Sequence, residues 1–361
     1  MKLVWLAQDL HIGGGQRVIC ELSAKLAQRG HEVEILYPRG RHGFKIPFGV
    51  SSRACGIEIA SPLTSLIINI PAMIAAVPLC DWVLCSMPIS TFLGLIAGRL
   101  RGARVLSYAM NDERALFDDR SLIQSQILLE LYHFVADLSH KLPVVYAANS
   151  LWTANRLRHG RGGDFPIIPH GVDLSIFSPE GPRLHKEAKF TIACVGRRHR
   201  WKGLQDLIQS LNRVRHSIAG DADFELWIIT QDDLNLTTAQ FATRVIKPAS
   251  DREIAAAYRA ADLLVHPSWF EGFGLPPLEA MACGTACVIT DSGGISEFAR
   301  PDINCLMVPP RDPVSLSKAI TILMQNDFLR HRLAQAGPAT AAQFTWDRAA
   351  DALELILKSP R

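Results

Sequence analysis

The 361-residue sequence predicts an α/β fold made of two doubly wound, Rossmann-like domains. Short apolar runs alternate with helix-like segments along nearly the whole chain, the pattern of βαβ units that build parallel sheets. After Phe177 the alternation gives way to Ser-Pro-Glu-Gly-Pro-Arg-Leu-His-Lys-Glu-Ala, whose proline, glycine and charge mark a linker. The chain is also long for a single core and comfortable for two domains of average size.

Residues 3–7 form an apolar strand, and Gly13-Gly14-Gly15 opens a helix in which Val18, Leu22 and Leu26 recur every four residues. Gly30 stops that helix, and residues 33–36 resume strand. Residues 59–80 carry no charge, but Pro62, Pro71, Pro78 and Asn69 break a single membrane-spanning helix. A buried helix followed by a strand at 82–84 is therefore expected. A helix over 92–100, a strand at 105–106, a helix from about 122 to 138 and strands at 144–145 and 167–168 complete a first domain over 1–178. Strands at 190–195, 226–229, 263–265, 286–289 and 306–308 give a second domain over 179–345. The last segment, 346–361, has an apolar pattern at Ala350, Leu353 and Leu357 and reads as a terminal helix.

A hydrophobic content of 48% with 20% charged residues is ordinary for a soluble globular protein. A net charge of +3 is too small to imply nucleic acid as a partner, so only local basic clusters carry information. The eight cysteines are scattered, and Cys283 and Cys287 lack a second pair or a histidine at metal spacing. The opening run from Met1 to Asp9 has too short an apolar stretch for a signal peptide, so reduced thiols in the cytoplasm are expected.

The densest chemistry follows the strand at 263–265. Pro267 stops the strand, Gly272 and Gly274 let a loop bring backbone close to a ligand, Pro277 fits the first helical position and Gly284 the C-terminal cap. Glu271 then lies in the loop and Glu279 in the first turn of the helix, where open α/β sheets bind ligands. Arg197 and Lys202 lie between strand 190–195 and a helix with apolar Leu204, Leu207, Ile208 and Leu211, hence in a loop at the carboxyl edge of the second sheet. Arginine offers phosphate oxygens a rigid fork, and lysine a point charge. Gly13 to Gly15 would let backbone approach a phosphate, but the run is not the GxGxxG of dinucleotide folds, which counts against an NAD-dependent oxidoreductase. Asp118-Asp119 and Asp232-Asp233 are not framed like a metal-binding DxD. His170, before a glycine turn, reads as structural. Arg39, Arg41, His42, Phe44, Lys45, Phe48 and Arg53 mix cations and aromatics after the strand ending near Tyr37. They read either as a solvated loop or as an acceptor or membrane-surface site.

The strings LHIGGGQRV, ANSLWTANRL, IIPHGVDLSIFSP, VGRRHRWKG, EGFGLPPLEAMACG and TDSGGISEFARPDINCLMVPPRDP, in that order, resemble those of the retaining glycosyltransferases of family four. That family has the GT-B fold, with the donor in a cleft between two domains and a terminal helix crossing back toward the first. Its signature, a glutamate, seven residues and a second glutamate, falls on Glu271 and Glu279. The resemblance implies that Arg197 and Lys202 bind the diphosphate of a nucleotide sugar, with Gly14 beside it. It implies backbone contacts to the donor from Phe273, Gly274 and Leu275. Glu279 would take the ribose hydroxyls, and Glu271 the transferred sugar and its developing anomeric charge. No cofactor and no metal are expected.

Asn111 departs from the family, standing where many members have a histidine. An amide cannot be a general base, though it can orient a sugar, and a retaining route with the leaving phosphate as base does not need one. The usual glycines after 226–229 are absent, and Lys247 stands where a glycine is common near the base. The expected activity is hexosyl transfer from a nucleotide diphosphate sugar to a glycan or lipid-linked acceptor. It would serve cell-surface polysaccharide or glycolipid assembly in the cytoplasm, with peripheral contact at the inner face of the membrane. A nucleotide-sugar-binding subunit without catalysis, motivated by Asn111, is the alternative.

Overall fold

Strand β1 (Lys2–Leu6) is apolar at every position after Lys2 and buried there, because helices cover both faces of a parallel sheet. The computed structural model describes all residues except 11–12, 41–44, 60–63, 66–67, 113, 115–124, 218–222 and 361. From β1 the chain enters α1 (Gly14–Gln28), which buries Val18, Leu22 and Leu26, and then β2 (Glu32–Pro38). The edge strand β3 (Val50–Cys55) pairs with β2 and exposes Ser51, Ser52 and Arg53. In the charge-free stretch the buried Asn69 amide bonds both the N–H and the C=O of Ile57, at 2.8 and 2.9 Å. Helix α2 (Ile70–Ala76) starts directly after it, with Pro71 in its first turn.

β4 (Trp82–Cys85), α3 (Pro88–Arg101), β5 (Arg104–Ala109), α4 (Gln126–Ser139), β6 (Val145–Ala148) and α5 (Leu151–Arg161) follow. Helix α3 begins earlier than its apolar pattern suggests. Pro88 needs no N–H partner at the first helical position, and the Ser90 hydroxyl accepts from Met87 N at 3.1 Å. The expected start of α4 near residue 122 lies outside the described residues. No strand forms at 167–168: Ile167 makes one parallel bridge to Ala148, and Pro166 and Pro169 on either side cannot donate to a longer ladder. The parallel sheet has the order β3-β2-β1-β4-β5-β6, which reverses between β1 and β4.

The second sheet repeats this plan with β7 (Phe190–Val195), α6 (Leu204–Ser217), β8 (Phe224–Ile229), β9 (Ala242–Ile246), α7 (Asp251–Ala260), β10 (Leu263–His266), α8 (Leu275–Ala282), β11 (Ala286–Thr290) and β12 (Leu306–Val308). Helices α9 (Pro313–Gln325) and α10 (Asp327–Ala341) follow. The order β12-β11-β10-β7-β8-β9 reverses between β7 and β10. Ile192, Leu207, Leu211, Ile228, Val265 and Val288 are wholly buried in its core.

Helix α11 (Trp346–Leu357) lies against α1 and the turn that follows it, through Lys25–Asp347 at 2.9 Å, Arg29–Asp351 at 2.7 Å and His31–Glu354 at 3.0 Å. One compact unit is Met1–His170 with Trp346–Arg361, and the other is Gly171–Thr345. The division thus comes before the 178/179 boundary suggested by composition. The proline- and glycine-rich segment belongs to the second unit because buried Arg259 on α7 donates to the carbonyls of Ile176, Ser178 and Pro182 at 2.8–3.1 Å.

Candidate active site

In the second unit two loops meet at the carboxyl edge of the sheet, where the strand order reverses: one follows β7, the other β10. Such a reversal is where open α/β sheets form a crevice. The first loop carries Lys202 in a short 3₁₀ turn, Arg200–Lys202, closed by Gly203 at φ +69°. A Cβ on Gly203 would lie 2.0 Å from Pro267 O, so only glycine lets the loops touch here. Trp269 N donates to Trp201 O at 2.7 Å, and the Trp201 ring stacks on Phe270 with centroids 4.8 Å apart.

This clamp brings Lys202 to Glu271. Lys202 Nζ donates to Glu271 Oε1 at 2.6 Å and lies 4.1 Å from the Trp201 ring centroid. His266, the buried last residue of β10, donates from Nε2 to the same oxygen at 3.1 Å. The Glu271 backbone is fixed as well, its N–H to Ser292 O at 2.7 Å and its C=O from Gly294 N at 2.9 Å. Burial opposes ionisation of the carboxyl, but the Lys202 charge and the His266 hydrogen bond outweigh it and hold Glu271 well below the usual carboxylate range. Glu271 is therefore an acceptor and a fixed negative charge, not a proton donor.

Arg197 is on the same loop as Lys202 but is held elsewhere. Its Nε donates to Asp232 Oδ2 at 3.1 Å, and Arg198 N donates to that oxygen at 2.9 Å. Lys247 pairs with exposed Asp233 at 2.8 Å. Asp118 and Asp119 lie outside the described residues.

Helix α8 starts at Leu275, two residues before Pro277, which places Glu279 in the second turn rather than the first. Gly274, at φ +95°, serves as the N-cap without a side-chain bond, and Pro276 and Pro277 have no N–H to satisfy. Glu279 is buried and accepts from Tyr258 OH at 3.4 Å. Phe273 is buried against Phe298 and Phe344, with ring centroids 5.6 and 5.8 Å away.

Gly14 and Asn111 belong to the first unit, at the carboxyl ends of β1 and β5. Gly14 is the first residue of α1, and a Cβ there would meet nothing within 4 Å. Asn111 is half-buried, and its Oδ1 accepts from Asp112 N at 2.8 Å. His170 is buried, with its pKa pushed down to about 3 by burial, and lies edge-on to Tyr108. Of the cation-aromatic cluster, Arg41, His42 and Phe44 lie outside the described residues. Arg53 is on β3 rather than in the loop, bonded to Glu34 at 3.0 Å and to Ala76 O at 2.7 Å. Arg39 and Lys45 are exposed, and Phe48 fully so.

Sequence reasoning missed His266, and it weighed Asp232 only as part of a metal motif and not as the partner of Arg197. A histidine closing a buried apolar strand at the carboxyl edge, and an aspartate just after the neighbouring strand, were the available signals.

A model of Glycosyltransferase Family 4 matches residues 12–176, and one of Glycosyl transferases group 1 matches 189–326. The D-inositol 3-phosphate glycosyltransferase of Corynebacterium jeikeium is 30% identical over 214 residues, 53% of this chain and 50% of the relative. That of Xylanimonas cellulosilytica is 32% identical over 205 residues, 52% of this chain and 49% of the relative. The chain thus spans about half the length of the curated relatives it matches. Sucrose-phosphate synthase from Thermosynechococcus elongatus superposes with a TM-score of 0.80 at 19% identity over 98% of both chains. HepE from Anabaena, in complex with UDP-glucose, gives 0.78 at 16% over 100% of both. The fold is GT-B.

Proposed function

The chain belongs to the family-four, group 1 glycosyltransferases, and from that premise we propose that it moves a hexosyl group from a nucleotide diphosphate sugar to an acceptor hydroxyl with retention. The observation that carries this reading is the Lys202–Glu271–His266 cluster at the reversal of the second sheet. The UDP-glucose in HepE and the glycosyltransferase names of the relatives support the donor class.

In this reading Lys202 and Arg197 neutralise the donor diphosphate, so no metal or other cofactor is required. Gly14 in the first unit and the backbone of Phe273, Gly274 and Leu275 in the second approach the donor, and Glu279 accepts from its ribose. As the bond from the anomeric carbon to the leaving phosphate lengthens, negative charge grows on the phosphate beside Lys202. Positive charge grows at the anomeric carbon, and ionised Glu271 favours it. The acceptor oxygen bonds to that carbon from the face the phosphate leaves, and its proton passes to a phosphate oxygen. Asn111 orients a hydroxyl without taking its proton. The acceptor is a glycan or a lipid-linked molecule in cell-surface polysaccharide or glycolipid assembly. The protein acts in the cytoplasm, with peripheral contact at the inner face of the membrane.

A thermal-shift screen of nucleotide sugars tests the donor assignment, because a ligand of the folded state raises its midpoint by mass action. No shift with any nucleotide sugar or nucleoside diphosphate would remove it. The catalytically silent alternative, motivated by Asn111, requires a shift without donor hydrolysis or transfer.

A further inference from the structure

Strand β7 lies between β10 and β8 in the second sheet, and the loop after it is held by one carboxylate from each neighbour. Glu271, after β10, holds Lys202, and Asp232, after β8, holds Arg197. The second contact begins where β7 ends. Gly196 N donates to Ile229 O at 3.0 Å, and a Cβ on Gly196 would lie 2.4 Å from Ile228 Cγ2. Glycine thus lets the chain leave β7 pressed against β8, with Arg197 beside the turn that carries Asp232. Asp232 is itself fixed. Its N–H donates to the hydroxyl of buried Thr230 at 2.9 Å, and Thr230 N donates to Ile246 O on β9, also at 2.9 Å. The adjacent Asp233 is exposed and paired instead with Lys247 at 2.8 Å.

Asp232 Oδ2 accepts two bonds, from Arg197 Nε at 3.1 Å and from Arg198 N at 2.9 Å. It therefore fixes both the guanidinium and the backbone that carries it. Nε is the donor nearest the aliphatic stem, so a bond there sets the plane of the guanidinium. A free arginine side chain has many rotamers, and ordering it on a ligand opposes binding, whereas a side chain ordered beforehand avoids that loss. The carboxylate has a second, opposite effect, because its charge repels a diphosphate. With 32% of the Arg197 side chain and 13% of the Asp232 side chain exposed, solvent screens that repulsion in part, while the bonds that fix the loop persist. We propose that Asp232 is a positioning residue of the donor site, presenting Arg197 to the diphosphate without touching the donor itself. This rests on the reading of Arg197 as a diphosphate ligand. It also gives a reason for the missing glycines after β8: Thr230-Gln-Asp-Asp233 supplies a side-chain tether that glycine lacks.

The test is calorimetric titration of the full chain with UDP, GDP and ADP, each set against its own nucleoside. The variants are Asp232→Ala, Asp232→Asn, Asp233→Ala, Arg197→Ala and the double variant Asp232→Ala with Arg197→Ala. Asp232→Ala is expected to weaken binding of the nucleoside diphosphate about tenfold, with less than about a twofold change for the nucleoside. Asp232→Asn, whose Oδ1 can accept the same two bonds, should stay within about threefold of wild type. In the Arg197→Ala background Asp232→Ala should add nothing, because the side chain it positions is gone. Asp233→Ala should keep the wild-type ratio of the two affinities. A thermal midpoint near that of wild type without ligand checks that each variant folds. A side chain that only braces the loop would weaken both ligands alike and add its effect to that of Arg197→Ala, and either result overturns the proposal. So does tighter diphosphate binding in Asp232→Asn, the mark of a carboxylate that acts by repulsion, or a loss in Asp233→Ala as large as in Asp232→Ala. A selective loss of diphosphate in Arg197→Ala but not in Asp232→Ala removes Asp232 alone. No selective loss in Arg197→Ala, or no diphosphate binding by wild type, removes the reading of Arg197 and this proposal with it.

Discussion

Lys202 Nζ lies 2.6 Å from Glu271 Oε1 and joins the loops after β7 and β10 into one ionised unit. Both side chains are largely buried. The pair thus combines a structural contact with a charge arrangement suited to a diphosphate on one side and a developing oxocarbenium on the other.

Lys202→Met should leave Glu271 buried without its cation and destabilise the chain by about 3 kcal/mol. It should also weaken nucleoside diphosphate binding at least about tenfold more than nucleoside binding, since a charge-assisted contact contributes about 1.5–3 kcal/mol. Arg197→Ala should show the same ligand selectivity. Calorimetric titration with each ligand measures this, and equal losses for both ligands would remove these residues from the diphosphate.

Acid should act through Glu271. Its folded pKa is depressed by Lys202 and His266 against the opposing effect of burial, so as pH falls the unfolded chain takes up the proton first, near pH 4.3. The stability it contributes is complete above that pH and is lost as pH drops toward the folded value. Between about pH 5 and pH 3, wild type should therefore lose more stability than Glu271→Gln. Chemical denaturation at both pH values measures the difference, and identical losses would mean that the carboxyl is not held ionised by its partners.

β1, β7 and β10 are legible in the sequence because buried parallel strands are apolar at nearly every position. β3 and β9 are not: both are edge strands, with exposed positions that break the run. Glu271 and Lys202 can be singled out from motif and loop position, but their contact spans 69 positions and follows only from the adjacency of β7 and β10. The start of α8 is misread because Pro276 and Pro277 both suit a first turn, and only the φ of Gly274 decides between them. The linker composition is visible, but the buried Arg259 that ties the linker into the second unit is not.

Glu279→Ala should raise the apparent donor dissociation constant about tenfold with little effect on turnover at saturation, because it removes a contact made equally in ground and transition states. Glu271→Ala should instead reduce turnover at least about a hundredfold, the scale of losing a preorganised electrostatic contact. Steady-state kinetics with the donor found in the thermal screen separates the two. Intact turnover in Glu271→Ala would end its assignment to the reacting sugar.

His266 should act on the reaction only through Glu271. Its Nε2 bonds Glu271 Oε1 at 3.1 Å, the oxygen that also receives Lys202, and fixes the carboxylate as an acceptor. His266→Ala removes that donor, so the carboxylate loses orientation and part of the force that keeps it ionised. The expected result is a turnover about tenfold lower with a nearly unchanged donor KM, and an acidic limb of the pH–rate profile moved to higher pH. His266→Gln, whose Nε2 can donate over a similar reach, should recover most of the turnover and return the acidic limb toward its wild-type position. A histidine that merely fills the end of β10 would lower stability in both variants without moving the limb. A wild-type pH profile in His266→Ala would therefore assign His266 to packing alone.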